Sequence, residues 1–177
     1  MATTTRQRSL KMFALSGATV VSLWLPSHGL ADNWQRCNRA DVKALKVFTV
    51  GEAALYSKDC DSPDLLRPPL KLAFQYFREV PGDAFGEAAM HFLEKNLDVT
   101  QFNALQPSLS AFNQHYQDVD DGDRYTLVYE QGGLTLALNG TPLARQEGDE
   151  FARAYLTIWF GPSPYSPAMK ESLLGLR

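Results

Sequence analysis

Few side chains in this sequence are of a type and spacing that could do chemistry. None of the three histidines, His28, His91 and His115, has a second histidine at the i+3 or i+4 spacing that would pair two His ligands on one helix face. There is no nucleophile elbow and no phosphate-binding glycine loop. His91 and His115 therefore read as surface or capping residues. The run Asp118-Val119-Asp120-Asp121-Gly122-Asp123 has the acidity of a calcium loop but not its pattern. Its glycine stands fifth rather than sixth, and the twelfth place is Tyr129 rather than a glutamate. It reads as a solvated loop before a strand. Cys37 and Cys60 fit no metal motif. In an oxidising compartment they can pair, or they can remain two separate buried thiols. No catalytic residue, metal or cofactor is assigned on these grounds.

The compartment follows from the first residues. Arg6, Arg8 and Lys11 precede an apolar run from Met12 to Leu25, Pro26-Ser27 breaks it, and Gly29-Leu30-Ala31 offers small residues for cleavage. This is the pattern of a signal peptide cleaved after Ala31. The apolar run is shorter than the ~20 residues of a membrane span. The expectation is a leader over 1–31, one domain over 32–177, and a periplasmic or secreted protein with no span after cleavage. Cleavage would take away three of the 17 basic groups and none of the 20 acidic ones, moving the net charge from −3 to −6. An acidic exported chain without a basic stripe is a poor nucleic-acid binder.

Those groups must be positioned by elements, and these can be read from periodicity. Val42 to Tyr56 reads as one extended strand, bulged at Gly51. Ser57 to Pro69 is loop by composition. Leu70 to Val80 alternates as a strand, although a helix would also accept it. Phe85, Ala88, Ala89, Phe92, Leu93 and Leu97 form one stripe of a helix from Asp83 to Leu97. A second helix is expected over Thr100 to Tyr116, with Pro107 near its start. Then the period becomes two: Tyr125, Leu127 and Tyr129 share a face, as do Leu134, Leu136 and Leu138. Asn139-Gly140 supplies a tight hairpin turn into a return strand from Thr141 to Arg145. Phe151, Ala154, Tyr155, Ile158 and Trp159 give a helical stripe that Gly161-Pro162 stops, and Ser166-Pro167 caps a last short helix. Strands, then helices, then hairpins predict an α+β domain with an antiparallel sheet covered by helices.

The ordered set of motifs resembles the chalcone isomerase-like family, in its small exported bacterial branch. It runs through Ala53-Ala54-Leu55-Tyr56, Tyr76-Phe77-Arg78, Asp123-x-Tyr125-x-Leu127-x-Tyr129, Leu138-Asn139-Gly140, Ile158-Trp159-Phe160-Gly161 and Leu173-Leu174-Gly175. The resemblance covers nearly all of 32–177 and implies an open-faced β-sandwich. Enzymes of that family cyclise a chalcone by phenolate attack on an enone, with a cleft arginine and with hydroxyl and amide donors for the developing charge. Carried over, their helix Tyr and Asn fall on Phe85 and Phe92, and a Ser or Thr before the helix-ending glycine falls on Ile158. None of the three can donate a hydrogen bond. The cleft arginine falls on Arg39 or on Lys43.

The resemblance thus implies a non-catalytic binder of a fatty acid or similar small amphipathic ligand. Phe85, Phe92 and Ile158 would line the cleft, Arg39 or Lys43 would hold the carboxylate, and Tyr56 and Tyr76 would be neighbours. The bland alternative is that Phe85, Phe92 and Ile158 are plain core with no cavity. An isomerase of the intramolecular lyase type, acting on another substrate through Tyr56, Tyr76 or Arg78, is a second alternative. A partner-binding module using an exposed Trp159–Pro167 segment is a third.

Overall fold

A computed structural model describes residues 33–44 and 48–176. The leader read over 1–31 and the strand position Val47 lie outside the described residues. Six strands form one sheet in chain order, each antiparallel to the next: β1 (Gln35–Ala44), β2 (Phe48–Ser57), β3 (Leu70–Tyr76), β4 (Arg124–Glu130), β5 (Gly133–Leu138) and β6 (Thr141–Glu147). Two helices, α1 (Gly82–Asn96) and α2 (Val99–Asn113), are inserted between β3 and β4, and α3 (Asp149–Phe160) and α4 (Pro167–Leu173) follow β6. The result is the expected α+β open-faced sandwich.

The sheet has two unlike faces because side chains alternate along each strand. The register sets Ala40, Ala53, Phe74, Tyr125 and Leu138 side by side across the sheet. Asn38, Leu55, Leu72, Leu127 and Leu136 make a parallel row on the same face. Most of these are buried beneath the helices. α3 is the centre of that layer. Phe151, Ala152, Ala154, Tyr155, Leu156, Ile158, Trp159 and Phe160 are all buried, because α1, α4 and strands β5 and β6 surround it. A helix predicted to have one apolar stripe is thus enclosed on most sides. Its aromatic end is not exposed, and of the Trp159–Pro167 segment Pro162, Ser163 and Pro167 are exposed.

Two expectations need correction. The single strand read over Val42–Tyr56 belongs to two strands, the end of β1 and most of β2, which pair antiparallel. Ala44-Leu45-Lys46-Val47 carries none of the Gly, Asn or Pro residues that mark turns, so the reversal left no trace in the sequence. The bulge at Gly51 is real: Val50 and Gly51 together oppose Val42, which turns both Val42 and Val50 toward the helices. Pro107 lies in the middle of α2 rather than near its start, with Asp98 capping that helix by accepting from the Gln101 N–H at 2.9 Å.

The pairing also decides the cysteines. β1 pairs Gln35 with Ser57 and Arg36 with Tyr56, so Cys37 stands at the end of β2. Cys37 is itself an extra residue between Arg36 and Asn38 in the ladder, and it is joined to Cys60 by a disulfide. Two carboxylates of the acidic loop accept from nearby backbone and side-chain N–H groups. Asp118 accepts from the Gly82 N–H at the start of α1 (2.8 Å). Asp123 accepts from the Asp120 N–H and from Asn139 Nδ2, both at 2.8 Å. Among the described residues no group of three or more acidic, His or Cys side chains could hold a metal.

Candidate functional site

Between the inner face of the sheet and the helices lies a cavity of about 240 Å³. The strands supply Val42, Val50, Phe74, Tyr76, Tyr125, Leu127 and Leu136 as its floor. α1 supplies Ala84, Phe85, Ala88, Ala89 and Phe92, which recur at helical spacing along one face. α3 contributes Ile158 and Trp159, and Val80, Tyr116, Tyr165 and Met169 close the ends. Ala84 is exposed and Phe85, Ala88, Phe92 and Tyr165 are partly exposed, so the cavity opens between α1 and the segment around Tyr165.

Of the residues singled out in the sequence, Tyr76, Phe85, Phe92 and Ile158 meet in this cavity. Arg39, Lys43 and Tyr56 do not line it. Arg39 and Lys43 sit on the opposite face of β1 from Val42, and both are exposed. Arg39 pairs with Glu52 at 3.3 Å and Lys43 with Asp41 at 3.9 Å. Tyr56 is also on the outer face, under Lys71, whose Nζ is 5.0 Å from its ring. Strand alternation is the physical reason: a residue next to inward Val42 must point out. Arg78 is exposed and does not line the cavity either.

Sequence reasoning missed Tyr116, Tyr165 and Trp159 as lining residues. Trp159 was visible on the apolar stripe of α3 but as core. Tyr116 and Tyr165 stand just beyond helices, where no periodicity marks them. Their positions come from contacts. Asn96, at the end of α1, donates from Nδ2 to the Ser163 carbonyl (2.9 Å) and accepts from the Ser163 N–H (2.8 Å). That pins the loop after α3, and the Tyr165 N–H then donates to the Ile158 carbonyl at 2.7 Å. The Tyr165 hydroxyl donates to the Lys43 carbonyl at 3.0 Å, so at the rim β1 offers its backbone rather than its ammonium.

Every described lining residue is uncharged, and its polar side-chain groups are four phenol hydroxyls and the indole N–H of Trp159. Tyr125 donates to the Gln117 carbonyl (2.8 Å) and accepts from the Gln117 N–H (2.7 Å). Tyr155, buried behind the cavity, donates to Asn113 Oδ1 at 2.6 Å. Since that uses its one proton, the 3.1 Å contact between the Tyr116 and Tyr155 hydroxyls must run from Tyr116 as donor. Tyr165 is bonded as above. Tyr76 alone of the four makes no hydrogen bond to another described residue, although its ring is buried against Phe85 (5.3 Å between centroids) and Tyr125 (6.2 Å). Burial pushes the Tyr76 hydroxyl well above the ordinary phenol range, and the neighbouring Tyr116, Tyr125 and Tyr165 push the same way. Burial likewise raises Tyr116, Tyr125 and Tyr165. The site is therefore a neutral, hydroxyl-bearing, largely aromatic cavity.

Comparison with known proteins places this geometry. The chalcone isomerase-like family model matches residues 37–175. Among solved structures, a fatty-acid binding protein of Arabidopsis thaliana has the same fold, with a TM-score of 0.56 and 17% identity, covering 82% of this chain and 88% of that one. No curated protein matches the chain in sequence.

Proposed function

The chain belongs to the chalcone isomerase-like family, and from that premise we propose that it is an exported, non-catalytic binder of a fatty acid-like amphipathic ligand. The observation that carries this is the composition of the cavity. Positions Phe85, Phe92 and Ile158, where the resemblance places the enzymes' hydrogen-bond donors, add apolar wall instead. Losing one such donor typically costs ~3 kcal/mol of transition-state stabilisation, so the loss of three argues against chalcone cyclisation. An aromatic and aliphatic cavity with one free hydroxyl suits a chain with a small polar head. The fold shared with a fatty-acid binding protein supports the same reading. Export is read from the leader over 1–31 and agrees with a disulfide between Cys37 and Cys60.

The test is to express the full chain with its leader, purify it from the periplasm, extract it and identify lipids by mass spectrometry. A stoichiometric lipid, or saturable uptake of a labelled fatty acid by the extracted protein, supports the reading. An empty protein that takes up nothing ends it.

One observation favours the isomerase alternative: Tyr76 lines the cavity, and its hydroxyl makes no hydrogen bond to another described residue. The two other candidate donors, Tyr56 and Arg78, lie elsewhere, and the described lining holds no His, Asp or Glu to act as a base. The binder reading needs only what is present.

A further inference from the structure

We propose that the ligand binds with an uncharged, hydroxyl-bearing head — an alcohol or an un-ionised acid — held by Tyr76, and not as a carboxylate held by a cation. This rests on the ligand-binding reading above and specifies the chemistry of the same site. The described walls carry no ammonium or guanidinium: Arg39 and Lys43, the cations the resemblance assigns to the cleft, point away on the outer face of β1, and Lys95, with Nζ 5.7 Å from the Phe92 ring centroid, is exposed outside the lining. Burying an ionised carboxylate without a cation is far costlier than burying a hydroxyl that finds a partner. The phenols sharpen the choice. Tyr116 has committed its proton to Tyr155, so toward the cavity its oxygen can only accept. Tyr76 has both its proton and its lone pairs available. A hydroxyl head, donor and acceptor at once, complements this pair. Among the phenols, a carboxylate, which only accepts, is matched by Tyr76 alone and opposed by the lone pairs of Tyr116.

Size narrows the class further. About 240 Å³ corresponds to roughly eight water volumes. That suits a medium-length chain, with anything longer projecting through the opening by Phe92 and Tyr165.

The experiment uses the lipid-extracted, disulfide-bonded protein and three probes of one length: 1-octanol, octanoate and 1-chlorooctane. Binding is read at neutral pH by calorimetry and by the fluorescence of Trp159, which lines the cavity. The expected result is that 1-octanol binds about tenfold or more tightly than octanoate. Tyr76→Phe should weaken 1-octanol by about three- to tenfold, the worth of one hydrogen bond, and leave 1-chlorooctane unchanged. The chlorooctane arm shows that the variant still holds a formed cavity. Octanoate binding as tightly as 1-octanol overturns the uncharged head while leaving the binder reading standing. A Tyr76→Phe variant that binds 1-octanol like the native protein also overturns it. If no probe binds to the native protein, both readings fail together.

Discussion

The two faces of the sheet are built from the same six strands and do opposite work. The inner face carries Leu55, Leu72, Phe74, Tyr76, Tyr125 and Leu127 under the helices. The outer face carries Arg39, Lys43, Tyr56, Lys71 and Glu52, with ion pairs and cation–π contacts among them. One position of shift along β1 separates Val42 in the cavity wall from Lys43 in solvent. The lesson is that a family position carried over by alignment is only as good as its parity on the strand. A cation in the right stretch of chain can still be on the wrong side of the sheet.

The contrast can be broken first through stability. Leu72→Ala removes a fully buried inner-face side chain that does not line the cavity, and should cost about 2–5 kcal/mol in urea unfolding. A cost under 1 kcal/mol would mean the inner face is not close-packed there. Next comes the sheet edge. Cys37→Ser with Cys60→Ser opens a loop spanning a sequence separation of 23, and the chain-entropy estimate gives a loss of about 3 kcal/mol. Reduction of the native protein with dithiothreitol should reproduce it, and an unchanged urea midpoint would contradict the bridge's role.

Alkaline pH probes the inner face again. Tyr76 and Tyr155 have folded-state pKa values raised well above 10.0 by burial. Below pH 10.0 both hold their protons whether folded or not, and stability does not depend on them. Above it the unfolded chain releases protons that the folded protein keeps, so stability falls as pH rises. The slope is about 1.4 kcal/mol per pH unit for each phenol. Urea midpoints measured from pH 9 to 11 should be flat and then decline, whereas Tyr155→Phe should show a shallower decline. Arg39→Ala, on the outer face, should produce the smallest effect. Its pair with Glu52 is well exposed, and the expected change is within about 0.5 kcal/mol.

Much of the fold was legible because local signals agreed. The stretch from Tyr125 onward has clean alternation, an Asn-Gly turn and a capped last helix. β4, β5, α3 and α4 all fall where the periodicity puts them, with Asn139 at a φ of 50° and Gly140 at 82° in that turn. The pairing of β1 with β2 was hidden because the sequence between them carries no Gly, Asn or Pro to signal a reversal. Phe85, Phe92 and Ile158 could be placed in the helix layer, but helical spacing looks the same whether a stripe meets a wall or a void. The cavity exists because Ala84, Ala88 and Ala89 leave room between those larger residues, a property of three-dimensional spacing. The unpaired state of Tyr76 likewise depends on where Tyr116, Tyr125 and Tyr165 spend their hydrogen bonds.

The most direct test of the account fills the void. Ala88 lines the cavity from α1 at its partly exposed side, where an indole can enter without displacing buried core. Calorimetric titration of 1-octanol should show one saturable site on the native protein. In Ala88→Trp it should be weakened by roughly tenfold or more, with the urea midpoint kept, because the tryptophan occupies the ligand's place. Equal binding by the two proteins would contradict the claim that this cavity is where the ligand sits.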